Sequence, residues 1–201
     1  MRPVIVCNVV SLDGYYADAS GDPPFAGMDA AFDAYNLERI RNASTILLGR
    51  NSFDGFAEYW PTVADAPQDP DDRSVDAVNR GISRRYLDVP KVVVSDSLVL
   101  DPDHPWTATT SVISGREVPR WVHHARQSGQ GEILIFGSRV LWNGLLTDGL
   151  VDEVHLMIAP VVLGEGTPAV RSSPHLHLLG IRQFPGSDNV LLRYGVDHAN
   201  D

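Results

Sequence analysis

Short apolar runs recur along the chain, and each one ends in small or polar residues. The first run, residues 4–10 (VIVCNVV), is too short for a buried helix and is closed by Ser11-Leu12-Asp13-Gly14, which predicts a central strand ending in a turn. Comparable runs predict further strands at residues 45–48, 91–94, 111–113, 133–136 and 154–159.

Segments with helical periodicity separate most of these strands. After Asp29, the apolar residues Phe32, Tyr35 and Ile40 share one face, which predicts a helix that leads into the strand at 45–48. Further helices are predicted just after Gly49, from a cap at Ser74 to Leu87, over 118–125 with an end at Gly129, and over 138–146. The acidic, proline-containing residues 61–72 are predicted to form an exposed loop.

This order of elements predicts the fold class. Strands that alternate with helices indicate an α/β fold of three αβα layers, with a mostly parallel central sheet and right-handed crossovers. Two late apolar segments, 175–181 and 190–196, have no helix between them and are expected to pair antiparallel at one edge. No linker or repeat divides the chain, so one domain over 1–201 is expected.

Composition excludes several functional classes. The one cysteine, Cys7, allows no internal disulfide, no thiolate zinc cluster and no C-x-x-C motif of a zinc nucleobase deaminase. No 18-residue stretch is free of charged and turn residues, and the first residues resemble a strand rather than a signal peptide, so a cytoplasmic protein is expected. With 16 basic and 26 acidic residues, a general surface for nucleic acid or anionic membrane is not expected.

Residues that could bind a ligand follow the predicted strands. In doubly wound sheets, ligands lie beyond the carboxyl ends of the strands. Small or hydroxyl-bearing residues follow four of them, at 11–14, 49–52, 95–97 and 137–139, and two of these groups start a helix. Helix starts bind phosphate through their free N–H groups, so a dinucleotide is the expected ligand.

Arg50 is the most specific of these candidates. A guanidinium at the end of a strand can form a bidentate pair with a phosphate monoester such as the 2′-phosphate of NADPH. An ordinary surface arginine is an equally good interpretation. Gly137 and Ser138 likewise suit either a phosphate site or a simple helix cap, and the two are compatible.

Other candidates concern the substrate. Asp13 could orient or protonate a substrate, although Asp-Gly after a strand more often serves the turn alone. Tyr59-Trp60-Pro61, with Phe53 and Phe56 before it, could form an aromatic wall for a flat heterocycle, although such aromatics are more often core.

Two motif-like segments carry less weight. Residues 164–169 match G-x-G-x-x-A, but Pro168 and Pro174 prevent the helix that a dinucleotide fingerprint requires. The pairs His123-His124 and His175-x-His177 lack the further ligands of a metal site, and none is predicted.

Taken in order, the motifs resemble a known family. They are SLDG at 11–14, LLGRNSF at 47–53, YWP at 59–61, PKVVVS at 90–95, IFGS at 135–138, LVDEVHL at 150–156 and APVVLG at 159–164. This set resembles the dihydrofolate-reductase-like superfamily, and most of all the C-terminal reductase domain of bifunctional riboflavin-biosynthesis deaminase-reductases. The resemblance spans about residues 4–194 and does not include the deaminase domain, so a stand-alone reductase is expected.

The resemblance implies a cofactor, a substrate class and an assembly. It implies NADPH as the hydride donor, a heterocyclic substrate beside the nicotinamide, and a homodimer joined through the later strands. The implied cofactor residues are Gly49, Arg50, Asn51, Ser52, Ser95, Gly137, Ser138, Arg139, Val140 and Leu141. Substrate candidates are Ser11, Asp13, Tyr16 and Trp60, with Asp13 also the candidate catalytic residue.

The chain departs from the family pattern at three places. Ser52 replaces a threonine, and Ser138 replaces the second glycine of a Gly-Gly pair. Tyr15-Tyr16 replaces a lysine-bearing sequence, which weakens the case for a phosphorylated ribosyl substrate because a desolvated phosphate needs a positive partner.

Three functions therefore remain open. The first is an NADPH-dependent reductase resembling 5-amino-6-(5-phosphoribosylamino)uracil reductase. The second is a dihydrofolate or pterin reductase, which needs an acidic residue on the first helix, where Asp29 and Asp33 are available. The third is a non-enzymatic dimeric protein that keeps the fold and nucleotide binding.

Overall fold

A computed structural model describes residues 1–197 of the protein, so the last four positions of the expected domain lie outside the described residues. The strands are β1 (Val4–Ser11), β2 (Tyr15–Ala17), β3 (Ala43–Gly49), β4 (Lys91–Val94), β5 (Thr110–Ile113), β6 (Glu132–Phe136), β7 (Glu153–Ala159), β8 (Thr167–Pro168), β9 (Leu176–Gln183) and β10 (Val190–Val196). The α-helices are α1 (Ala30–Asn42), α2 (Arg50–Val63), α3 (Ala77–Asp88), α4 (Val118–Gln127) and α5 (Arg139–Thr147).

The main sheet has eight strands in the order β5-β4-β3-β6-β1-β7-β10-β9. The pairs β4–β5, β3–β4, β3–β6, β1–β6 and β1–β7 are parallel, whereas β10 runs antiparallel to both β7 and β9. Every residue of the central strand β1 is buried, as its continuous apolar run predicted. The predicted mostly parallel sheet with antiparallel C-terminal strands is confirmed.

Helices cover both faces of this sheet. Leu48 points to the face covered by α1, α2 and α3, and its neighbour Leu47 points to the face covered by α4 and α5, because successive residues of a strand face opposite ways. Both leucines have no exposed surface. The two apolar clusters on either side of the sheet confirm the three-layer arrangement.

The helix after Gly49 is longer than expected. It continues through Pro61 to Val63, and Val63 is buried, so the prediction of an exposed loop from residue 61 is wrong at its start. A proline inside a helix leaves the carbonyl four residues earlier without its usual N–H partner. Here His104 Nε2 contacts that carbonyl, Ala57 O, at 3.0 Å and replaces the missing donor.

Ser74 does not cap the third helix. Helix α3 begins at Ala77, and the Asp76 side chain caps it by accepting a hydrogen bond from Asn79 N at 2.8 Å. The residues Arg73–Val75 form a separate 3₁₀ turn that the Asp72 side chain caps. The acidic residues of this segment offered several caps, and the sequence alone did not rank them.

Candidate active site

The carboxyl ends of the parallel strands bring the predicted groups of residues together. Strands β4, β3, β6 and β1 are neighbours in the sheet, and they are followed by Ser95, residues 49–52, residues 137–139 and residues 11–14. Neighbouring strands lie about 4.8 Å apart, so the four groups span roughly 15 Å. That length suits an extended dinucleotide lying across the strand ends.

Two helix starts lie side by side in this row. Ser52 Oγ, in the first turn of α2, accepts a hydrogen bond from Ser138 N at 2.8 Å, and Ser138 Oγ accepts one from Gly49 N at 3.0 Å. Neither α2 nor α5 has a capping side chain or an acidic residue in its first turn. The N–H groups of Arg139, Val140 and Leu141 thus start α5 without a side-chain acceptor, which suits an anionic ligand.

The loop before α5 leaves no room for larger residues. Gly137 has a φ of 57°, and a Cβ on it would lie 2.9 Å from Ser52 Oγ and 3.4 Å from Tyr16 Oη. Ser138 also adopts a left-handed conformation, with φ 53° and ψ 41°. Such a conformation costs a non-glycine residue roughly 1–2 kcal/mol. The Ser138 side chain does not cap its own helix, as one interpretation held, but joins the two helix starts.

The arginines of the two helix starts differ in environment. Arg50 is half-exposed, and its Nε pairs with Asp54 Oδ2 at 2.5 Å. Its two terminal nitrogens have no hydrogen bond to any residue in 1–197. Arg139 is buried and donates from Nε to Pro168 O, and this burial lowers its pKa. Arg50 is therefore the arginine that remains open to a solvent-side ligand.

A small cavity of about 470 Å³ lies at the β4 and β5 end of the row. It is lined by Ser95 and Asp96, which lie in the predicted group 95–97, and by Ser114 and Arg116, which sequence reasoning missed. The signal was available, because Ser114 directly follows β5 as Ser95 follows β4. A polar cavity at this end suits the sugar or phosphate of a nucleotide.

A larger cavity of about 960 Å³ adjoins the start of α5. Gly137, Asn8 and Tyr16 line its end near the helix starts, and Phe32 and Asp33 of α1 line it from another side. Its surface is mostly apolar, with aromatic side chains from α1, α2 and α3. An apolar cleft with a few polar groups is the usual form of a small-molecule site.

The aromatic wall of this cavity continues into the core. Trp60 stacks on Tyr86 with ring centroids 5.5 Å apart, and Tyr86 stacks on the fully buried Trp106 at 5.0 Å. Phe53, in contrast, packs against Trp106 behind the wall and does not line the cavity. Phe53 therefore belongs to the core, whereas Trp60 lines the cavity, and its role as a wall for a heterocycle stays a prediction.

One of the two acids named on the first helix reaches the cavity. Asp33 lines it and is only 7% exposed, and its Oδ2 accepts hydrogen bonds from Arg73 Nη1 and, at 3.0 Å, from Asn79 Nδ2. Asp29 instead caps α1, where its Oδ1 accepts from Ala31 N at 2.9 Å. Asp33 is the acid that could meet a ligand.

Asp13 and Ser11 do not line either cavity. Ser11 Oγ donates to Asp13 Oδ1 at 2.6 Å, and Asp13 also accepts from Leu163 N and Gly164 N at 3.2 and 2.8 Å. The bond from Ser11, followed by those from the two backbone N–H groups, lowers the pKa of Asp13 to about 2. An ionised carboxylate with these bonds cannot supply a proton at neutral pH, so the structure favours the turn interpretation.

A buried polar chain behind the cavity was not expected. His155 on β7 is 1% exposed, with Nε2 2.8 Å from Glu153 Oε2 and Nδ1 2.8 Å from Tyr35 Oη. Burial lowers the pKa of His155, and the hydrogen bond from His155 lowers the pKa of Glu153. A neutral His155 donates from Nε2 to Glu153 and accepts at Nδ1 from Tyr35. Within residues 1–197, no group of three acidic, histidine or cysteine side chains could hold a metal.

No helix in the described part of the chain is long and apolar enough to cross a bilayer.

Comparisons with known proteins agree with the fold. The sequence model described as the RibD C-terminal domain matches residues 2–189. The chain belongs to this family. It is 26% identical over 194 residues to the uncharacterized protein YyaP of Bacillus subtilis (strain 168), covering 91% of this chain and 89% of that protein.

Solved structures show the same fold. A putative riboflavin biosynthesis protein from Shewanella sp. PV-4 has a TM-score of 0.67 at 20% identity, covering 98% of this chain and 100% of that one. Dihydrofolate reductase from Enterococcus faecalis, complexed with NADP(H) and RAB-propyl, has a TM-score of 0.58 at 12% identity, covering 98% and 97%. The fold is that of dihydrofolate-reductase-like proteins, and membership of the RibD C-terminal domain family supports a reductase-like role.

Proposed function

We propose that this RibD C-terminal domain protein is an NADPH-dependent reductase of a heterocyclic substrate. The observation that carries the proposal is that the large apolar cavity adjoins two uncapped helix starts at Gly137. A helix start binds phosphate, and an apolar, aromatic-lined cavity binds a flat ring. The two halves of a hydride-transfer site, one for a dinucleotide and one for its substrate, are thereby neighbours.

The residues present fit a dinucleotide. Gly137 lets Ser52 pack closely against the loop before α5, because a Cβ there would lie 2.9 Å from Ser52 Oγ. The N–H groups that begin α5 would hold the pyrophosphate, Arg50 the 2′-phosphate, and Ser95 the adenosine end. NADPH, when bound, supplies the hydride, and the protein's part is to orient the substrate ring against it.

The cavity supplies orientation and the exclusion of water. The stacked rings of Trp60 and Tyr86 offer a flat apolar wall. Asp33 offers a carboxylate oxygen that would accept a hydrogen bond from a ring N–H or an amino group of the substrate. Because Asp33 lies on the first helix and faces the cavity, dihydrofolate or pterin reduction is the second candidate beside reduction of a riboflavin-pathway aminouracil.

The first experiment is a calorimetric titration of the purified protein with NADPH and, in parallel, with NADH. We expect micromolar binding of NADPH and clearly weaker binding of NADH, followed by NADPH oxidation with a member of a pyrimidine and pterin panel. Binding of neither cofactor would overturn the proposal. Cofactor binding without turnover across the panel would support the non-enzymatic alternative instead.

We also propose that two copies of the chain pair along β9. This strand lies at the edge of the sheet and carries exposed apolar residues, among them Leu178 at 52% and Ile181 at 62% exposure. Exposed apolar edge strands invite pairing with another strand. Sedimentation analysis is expected to give a dimer, and Ile181→Glu is expected to shift it to monomer. A monomeric native protein would refute this assembly.

A further inference from the structure

Arg73, in the segment between α2 and α3, lines the large cavity. Arg73 donates from Nη1 to Asp33 Oδ2 and from Nη2 to Met28 O at 2.5 Å. Asn79 Nδ2 donates to the same Asp33 oxygen at 3.0 Å and to Arg73 O at 3.1 Å. Arg73 therefore contacts Asp33 directly through its side chain, and Asn79 links the backbone of Arg73 to the same carboxylate.

This contact sets the charge of the cavity. Among the described residues that line it, Asp33 and Arg73 are the charged ones, and they pair with each other. Both hydrogen bonds to the Asp33 carboxylate fall on Oδ2, so Oδ1 receives none from any residue in 1–197. The cavity thus presents one acceptor oxygen whose negative charge is already balanced.

The balance disfavours charged ligands. A cationic ring at Oδ1 would lie near the Arg73 guanidinium, and like charges at close range oppose binding. A phosphate would need an unpaired cation, and the arginine that lines the cavity is already engaged by Asp33. A neutral ring N–H or amino group meets neither penalty and still gives Oδ1 a donor.

We propose that Arg73 is the specificity-determining residue of this cavity: by neutralising Asp33, it selects a neutral, unphosphorylated flat heterocycle that offers an N–H donor. The inference rests on the proposed function, because it assumes that the cavity holds the substrate ring. It assigns a substrate class distinct from a phosphorylated ribosylamino-pyrimidine.

Two matched pairs of probes test the charge rule by calorimetry on the full chain saturated with NADP⁺, which keeps the phosphate-binding helix starts occupied. The first pair is 5-benzylisocytosine and 5-benzyl-2,4-diaminopyrimidine, which have nearly the same shape, but the diamine is readily protonated beside a carboxylate. The second pair is uridine and uridine 5′-monophosphate. The native protein is expected to bind the isocytosine at least as tightly as the diamine, and uridine more tightly than its phosphate.

Variants of Arg73 reverse or keep this order. Arg73→Gln leaves Asp33 unbalanced, so we expect the diamine to bind about tenfold more tightly and to become the preferred ligand. Arg73→Lys keeps the charge and is expected to keep the native order. Arg84→Gln is the matched control, because Arg84 is exposed on α3 and does not line the cavity. Thermal unfolding checks that each variant is folded.

The outcomes separate this inference from the proposed function. The same ligand order in the native protein and in folded Arg73→Gln would overturn the role of Arg73 and leave the cavity as a heterocycle site. Tighter binding of uridine 5′-monophosphate than of uridine by the native protein would overturn the charge rule without any variant. No binding of any probe, while NADPH still binds, would overturn both the inference and the heterocycle part of the proposed function.

Discussion

Two carboxylates in different regions of the molecule show how position decides what an acid can do. Asp13 lies in the exposed turn after β1, and its two oxygens accept bonds from Ser11, Leu163 and Gly164. Asp33 lies in the wall of the large cavity and keeps one oxygen without a partner in the described chain. Asp13, which belongs to the SLDG motif, uses both oxygens to stabilise the turn. Asp33, which belongs to no motif, keeps an oxygen that can bind a ligand.

The difference follows from chemistry. A short turn exposes backbone N–H groups, and the nearest carboxylate satisfies them. A carboxylate on a buried helix face meets mostly apolar neighbours, so its charge is paired with a cation, here Arg73. Substitutions in the turn, in the cavity wall and at the strand ends test this contrast.

Removing the ring behind the cavity wall should have the largest effect. Trp106 has no exposed surface and stacks on Tyr86, so Trp106→Ala is expected to lower the free energy of unfolding by about 3–5 kcal/mol. Asp13→Ala, in the exposed turn, is expected to lower it by far less. Urea denaturation of both variants checks the comparison. Similar losses would show that the turn contributes as much to stability as the core does.

Asp33→Asn should separate the two acids in function. It removes the charged acceptor in the cavity, so binding of 5-benzylisocytosine is expected to weaken about tenfold or more, since a bond to a charged group contributes about 1.5–3 kcal/mol. Asp13→Asn is expected to leave this binding unchanged within about twofold, because Asp13 does not line the cavity. Calorimetric titration of both variants provides the measurement, and an equal loss would contradict the contrast.

Arg50→Ala extends the test to the strand-end side of the site. The terminal nitrogens of Arg50 are open, so its loss should weaken NADPH binding by about 1.5–3 kcal/mol and NADH binding far less. Parallel titrations with both cofactors give the answer. An equal loss for the two cofactors would remove Arg50 from the 2′-phosphate role.

Lowering the pH is expected to destabilise the buried Tyr35–His155–Glu153 chain before it destabilises the Asp13 turn. His155 has a pKa below its usual 6.5 in the folded state, so the unfolded chain takes up the proton first and stability falls as the pH drops below about 6.5. The pKa of Glu153 is lowered from its usual 4.5, so this group adds a further loss of stability as the pH falls through 4.5. Asp13, with a pKa of about 2, adds its loss only below about 3.8.

Denaturation curves from pH 8 to pH 3 check this order. His155→Gln is expected to flatten the dependence between about pH 6.5 and pH 5, because the titrating group is gone. His124→Gln, an exposed control on α4, should keep the native profile. An unchanged profile in His155→Gln would show that other groups cause the acid loss.

The smallest effect is expected at the joint between the helix starts. Ser138→Gly relieves a left-handed serine but loses the bond from Gly49 N, so the two changes should cancel to within about 1 kcal/mol. Ser138→Ala keeps the strain and loses the bond, and should be the less stable variant. Thermal unfolding of the two variants separates the effect of the backbone strain from that of the lost hydrogen bond. Equal stability would mean that glycine does not release the strain.

Much of the framework followed from local patterns. The apolar run of β1 and the alternation of such runs with helical spacing predicted the parallel sheet, and the residues after the strands predicted the helix starts at Gly49 and Gly137. The homodimer and the roles of individual cofactor residues stay predictions. Trp60 and Tyr16 do line the large cavity, because one lies on the aromatic face of α2 and the other directly follows the turn after β1.

The order of strands and helices and the small residues at the strand ends therefore follow from local sequence, since they depend on neighbours in the chain. Which acid faces the cavity depends on tertiary packing, in which Arg73 reaches Asp33 across 40 residues. Tertiary packing also decided the bond between Tyr35 and His155, 120 residues apart, and the contact of His104 that lets α2 continue through Pro61. Such pairings arise when distant elements pack, and no local pattern encodes them.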